Sequence, residues 1–179
     1  MSHQQIARPE SGEYDPYFDR YIGLAPEGDI IVQLEAQIGE TTRLLDRVPE
    51  KRGSFRYAPG KWTLTEVIGH IADTERVFAY RALRFSRNDR TPLPGFEQDD
   101  FVAHGAFGTR TLAGVTAELA AVRAATVALF TGLTPAQLVR RGVANNVEMS
   151  VRAVPYVLAG HELHHLAIIR QRYLDGSGS

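Results

Sequence analysis

Between Pro26 and Pro49 the apolar residues Ile30, Leu34, Ile38, Leu45 and Val48 recur near a helical period, and Asp29 stands where an N-cap is expected. A second periodic stretch follows Thr63, whose spacing to Glu66 is that of a capping box. There Val67, Ile71, Phe78 and Leu83 alternate with Glu75, Arg76, Arg84 and Arg87, which predicts an amphipathic helix of about six turns. The third helix, over the alanine-rich residues 111–131, is stopped by Gly132 and the turn pair Thr134-Pro135. The fourth starts near Ser150 and runs to about Tyr173, with Pro155 in its first turns, where a missing amide donor is tolerated. No stretch alternates with period two for long enough to predict a strand. The pattern predicts an all-α protein, a four-helix bundle in one domain spanning 1–179, with 1–25 as an N-terminal extension and 175–179 as a flexible tail.

The connections add to this picture. Residues 88–110 form a link much longer than antiparallel bundle neighbours need. At about 3.3 Å per residue it outreaches a helix rising about 1.5 Å per residue, so a long crossover between helices two and three leaves them free to run parallel. The stretch "GVANNVEMS" (142–150) reads as a second polar turn region.

Charge removes several partners. Lys plus Arg number 20 against 21 Asp plus Glu, so there is no basic field to attract nucleic acid or anionic lipid. Residues 112–133 are long and apolar enough to span a bilayer, yet Glu118 and Arg123 in their middle favour a soluble helix. With no cysteine there are no disulfides, thiolate ligands or cysteine nucleophile, and the N-terminus lacks a secretory pattern, so the expected location is cytoplasmic.

The chemistry rests on histidine. Of six, His3 lies in the N-terminal tail and is set aside, while "HELHH" at 161–165 fits the H-E-x-x-H pattern of zinc peptidases. On a helix His161 and His165 are about 40° apart, one turn along the same face, whereas His164 falls about 60° to the other side of His161. Two imidazoles leave a weak site, so a third ligand is required. No histidine follows residue 165, which points upstream to His70 among the apolar residues of "VIGHIADTE". The alternatives are an ordinary core histidine at 70 and a solvated polar face at 161 and 165. Glu162 is a candidate general base or a helix-surface acid, and Asp73, one turn after His70, either orients a ligand or faces solvent. Peptide hydrolysis is disfavoured, because the chain offers no strand against which to hold an extended substrate.

Ordered blocks along the chain carry a family resemblance: "YIGLAPEGDI", "YAPGKWTLTEVIGHIADTERVFAYRALRFSRND", "TPLPGFEQDDFV", "VRAATVALFTGL" and "SVRAVPYVLAGHELHHLAIIRQRYL". On these the chain resembles the DinB/YfiT-like superfamily of metal-binding four-helix bundles. The resemblance implies parallel second and third helices, a homodimer, and a divalent metal held by His70, His161 and His165. Zinc or nickel is the expected ion, with iron or manganese as the wider set. It further implies metal-dependent chemistry on a small molecule, led by thiol-dependent S-transfer with a low-molecular-weight thiol. Hydrolysis by a metal-activated water and a non-catalytic, metal-binding stress-response dimer are the alternatives. Residues 88–110, with Phe96, Gln98, Asp99 and Asp100, are a candidate wall over the ion or a crossover without substrate contact.

Overall fold

The structure, a computed structural model, describes residues 5–174, so His3 and the expected tail at 175–179 lie outside the described residues. Three of the long helices, those opened by Asp29, Thr63 and Thr111, begin where their capping chemistry says they should. α1 (Asp19–Ile22) is a single turn, and α2 (Ile30–Leu45) opens on Asp29, whose carboxylate accepts the Ile31 amide at 3.0 Å. α3 (Leu64–Ser86) opens on the full Thr63–Glu66 capping box. After α4 (Gln98–His104), helix α5 (Leu112–Thr131) is capped by Thr111 and followed by the one-turn α6 (Pro135–Leu138). α7 (Ala153–Ile168) carries Pro155 in its first turn and widens into a π-helical segment over Ile169–Leu174.

Side-chain partners fix the helix directions. Arg76 reaches Glu118 and Glu75 reaches Arg123, while one apolar cluster joins the starts of α3 and α5 and another joins their ends. These two helices therefore run parallel, as the long crossover permits. Tyr173, beyond the end of α7, donates to the Trp62 carbonyl just before α3, so α7 is antiparallel to α3 and parallel to α2.

Between the two apolar clusters lies a charged layer. The Arg123 guanidinium, 1% exposed, forms a two-pronged pair with Glu75 at 2.8 Å, a third bond to Glu162 at 2.8 Å and a fourth to the Leu34 carbonyl at 3.0 Å. Glu162 also accepts from Gln37 and Thr41, each at 2.5 Å. Thus α2, α3, α5 and α7 all contribute to one buried network. Two sequence expectations change here. Glu75, counted among the polar-face charges of α3, is buried, and Glu162 is no surface acid, being 0% exposed. Their burial depends on a partner from a distant helix, which periodicity does not reveal. Conversely, Leu83, expected on the apolar face, is exposed.

The expectation of no strands is also corrected. β1 (Arg141–Ala144) and β2 (Val147–Ser150) form an antiparallel hairpin within the stretch read as a polar turn. Asn145 and Asn146 both adopt positive φ, 52° and 60°, the conformation a two-residue type I′ turn demands and asparagine tolerates. Four-residue strands are too short for a period-two signal. Leu93 of the crossover bonds to Val143 and Asn145 alongside this hairpin. The N-terminal extension packs on the bundle: Ile6, Ile22 and Ala25 join the core, and Glu13 pairs with Arg152 and Ser150 near the start of α7.

Removing one partner from a buried ion network leaves the others as unpaired charges. Arg123→Met, which strands Glu75 and Glu162, is expected to lower the unfolding free energy by about 3–5 kcal/mol in urea titrations. An unchanged midpoint would show that the network does not hold the helices together.

Candidate metal centre

α7 is buried on nearly every side over residues 153–162, so its rotation about its own axis must be set by particular contacts. Glu162 is tied to α2 and α5, which turns His161, about 100° around the helix, toward α3. Gly160 allows the extension to approach from another side. A Cβ there would stand 1.8 Å from the Tyr21 carbonyl oxygen, a distance no other residue could tolerate. His165 follows one turn after His161, and His70 faces both from the second turn of α3.

The three imidazoles converge. The Nε2 atoms of His70 and His165 each lie 3.2 Å from Nε2 of His161, and one ligand atom from each residue falls within 4.8 Å of the others. Ligand nitrogens about 2.0–2.1 Å from one zinc ion stand about 3.3 Å apart in tetrahedral geometry, so the two short edges fit a common divalent ion. The donors are also in the right protonation state. Burial pushes His70 down to about 4, and burial with the neighbouring His70 and His164 pushes His165 down to about 3. His161 is held well below its ordinary value by burial and then by the other histidines. At neutral pH all three are therefore neutral and able to donate a lone pair.

The surrounding residues orient the rings. Trp62 packs on His70 with centroids 4.7 Å apart, and Thr74 Oγ1 lies 3.5 Å from His70 Nδ1, the outer limit of a hydrogen bond. Tyr21 meets His161 and His164 edge to face, at 5.4 and 5.7 Å. A cavity of about 490 Å³ opens on the His70 and His161 side, walled by Tyr21, Thr74, Phe78, Arg81 and Phe96. A second, of about 330 Å³, opens at His165 between Tyr57, Lys61, Trp62 and Asp99.

Other sequence candidates fall elsewhere. Both Glu162 oxygens are engaged in the core network, so the H-E-x-x-H letters do not place an acid beside the cluster. Asp73 pairs with Arg76 at 3.2 Å, and His104 is exposed at the end of α4. His164 stays outside the converging trio. The crossover is a cavity wall: Phe96 and Gln98 border the larger cavity and Asp99 the smaller, while Asp100 borders neither. Thr74, Phe78 and Arg81 were missed, although they continue the His70 face of α3 at helical spacing. Tyr21 carries no such signal, because only folding brings the extension to α7.

A helical bundle whose second and third long helices run parallel, with two buried imidazoles and one half-buried converging between α3 and α7, defines a class: bundles with a three-histidine cluster able to hold a metal ion. Comparison with known proteins gives the family. A model of the DinB superfamily matches residues 33–169, and the chain belongs to that superfamily. It is 30% identical over 145 residues to a protein of Oceanobacillus iheyensis named "Putative metal-dependent hydrolase", covering 80% of this chain and 81% of the relative. Among solved structures it is similar in fold to YfiT from Bacillus subtilis, described as a probable metal-dependent hydrolase with an unusual four-helix bundle topology. The TM-score is 0.69 at 18% identity, over 92% of this chain and 90% of the other.

The depressed histidines make a pH prediction for the metal-free protein. As pH falls below the ordinary 6.5, the unfolded chain takes up protons that folded His70 and His165 refuse until about 4 and about 3. Stability is thus full above 6.5 and falls progressively through that window. Replacing both histidines by glutamine is expected to flatten the slope of unfolding free energy between pH 6.5 and 4.5, where carboxylates contribute least.

Proposed function

We propose that this DinB protein is a metal-dependent enzyme acting on a small molecule, with His70, His161 and His165 as ligands of a divalent ion and thiol-dependent group transfer as its reaction. The observation that carries this reading is the position of the imidazole cluster between two cavities, one reached past His70 and His161 and the other past His165. A bimolecular transfer needs two binding places that meet at one reacting point, and proximity is a large part of such catalysis. Bound there, a divalent ion would lower the pKa of a thiol or a water and polarise an acceptor. Neutral imidazoles suit zinc or nickel, with iron or manganese as the wider set.

The chain's own residues supply the rest. Trp62 and Thr74 hold the His70 ring, Tyr21 holds His161, and the aromatic walls Phe78 and Phe96 exclude water from an apolar substrate body. The chain has no cysteine, so the thiol in this scheme is a diffusible cosubstrate. Hydrolysis is the second reading, favoured by the names of the relatives. Self-pairing belongs to the same proposal, supported by the exposed apolar side chains Leu24 and Val32, and light scattering at high concentration is expected to give the mass of a dimer.

Two measurements test the site. His165→Ala is expected to abolish most affinity for zinc or nickel, whereas His164→Ala keeps the ion within the roughly 10-fold to 100-fold effect of outer contacts. The reverse order of dissociation constants would overturn the ligand set. Turnover is tested by following free thiol alongside a chromogenic electrophile and a chromogenic ester. Metal-dependent thiol consumption, lost in His161→Ala, is the expected result. Ester cleavage without thiol consumption would instead establish hydrolysis.

A further inference from the structure

The cavity that reaches the histidines has a cation at its other end. Arg81 follows His70 by about three turns on nearly the same face of α3, with Thr74 and Phe78 between them. Its side chain is 8% exposed, and its guanidinium lies over the rings of Phe78 and Phe96, at 5.0 and 5.9 Å. One nitrogen donates to the Pro94 carbonyl at 3.2 Å. Among the described residues no carboxylate lies within 4.0 Å of it. The other buried arginine, Arg123, has two acidic partners, and the half-buried Arg152 has Glu13. Asp15 and Glu97 border the same cavity, yet Asp15 accepts the Tyr17 amide and Glu97 is exposed at the start of α4. Burial alone lowers the proton affinity of Arg81, and no acidic neighbour counters it.

A guanidinium held at the wall of a cavity with one hydrogen bond, to a carbonyl, and no acidic partner has donors to offer an anion that enters there. The fork geometry suits a carboxylate or a phosphoryl group. We propose that Arg81 anchors the substrate: the cavity takes a small organic anion whose acidic group pairs with Arg81, whose apolar body lies along Phe78 and Phe96, and whose far end reaches His70 and His161. This rests on the histidine cluster being the reaction centre and narrows the substrate class for it. The two Cα atoms stand about 16 Å apart along α3 and both side chains lean toward its N-terminus, the arginine reaching further, so the span from guanidinium to imidazole is on the order of 13 Å, of which a six-carbon chain with its head group covers the greater part.

The test uses metal-free full-length protein at pH 8 and three probes, hexanoate, hexyl phosphate and hexanol, at matched ionic strength. Calorimetric affinity and the unfolding midpoint are both read. The expected result is that at least one anion binds more tightly than hexanol, and the tighter of the two shows whether the natural head group is carboxylate or phosphoryl. Arg81→Met is expected to weaken anion binding about 10-fold or more while leaving hexanol unchanged, and Arg81→Lys to retain part of the preference. Equal binding of anions and hexanol by the wild type overturns the proposal without recourse to any variant, as does an unchanged anion affinity in folded Arg81→Met. Zinc titration separates the two readings. Stoichiometric zinc uptake without anion preference removes the anchor and leaves the metal centre, whereas anion preference without zinc uptake does the opposite.

Discussion

One buried guanidinium organises this bundle. Arg123 meets an acid of α3, an acid of α7 and a carbonyl of α2, so the rotation and register of every long helix are referred to one point. Such a network is weak evidence for net stability, since desolvating the charges offsets much of their attraction. Its strength is in discrimination. Any register that separates Arg123 from Glu75 or Glu162 leaves a bare charge between two apolar clusters, whereas slipping one leucine past another costs far less.

The site follows from that constraint. Glu162 and His161 are consecutive, so fixing the first toward α2 and α5 aims the second at α3. The acid that seemed a catalytic partner of the histidines is instead the peg that turns them. His70 arrives on α3, which Glu75 ties to the same arginine one and a half turns further along. Three imidazoles are thereby brought together, His70 and His161 buried and His165 half-buried, and this desolvation keeps them neutral, the form a divalent ion requires.

The walls of the cavity come from segments that carry no helix-bundle signal of their own. The crossover presents Phe96, the hairpin presents Asn145 and Val147, and the N-terminal extension presents Tyr17, Phe18 and Tyr21. The crossover and the hairpin are themselves linked through Leu93. Parallel α3 and α5 make this possible, because the chain must travel the length of the bundle between them and covers the mouth of the site on the way. In this chain, the connection that the topology requires is also part of the material from which the pocket is built.

The sequence by itself determined the local elements and the three histidines that converge. Capping at Asp29 and Thr63, helical periodicity, and a histidine pair one turn apart are properties of neighbouring residues, and they survive folding because backbone geometry depends on little else. The tertiary structure alone decided the meaning of the charges. Glu75, Glu162 and Arg123 look like polar-face residues until helices far apart in the chain bring them together, and Arg81 looks like one more surface cation until the crossover closes over it. The hairpin at 141–150 lay below the resolution of periodicity because its strands are four residues long and its pairing depends on two asparagines at positive φ. Local patterns record what the backbone prefers. Which charge is buried, and against what, depends on contacts between residues distant in sequence, and those exist only once the chain has folded.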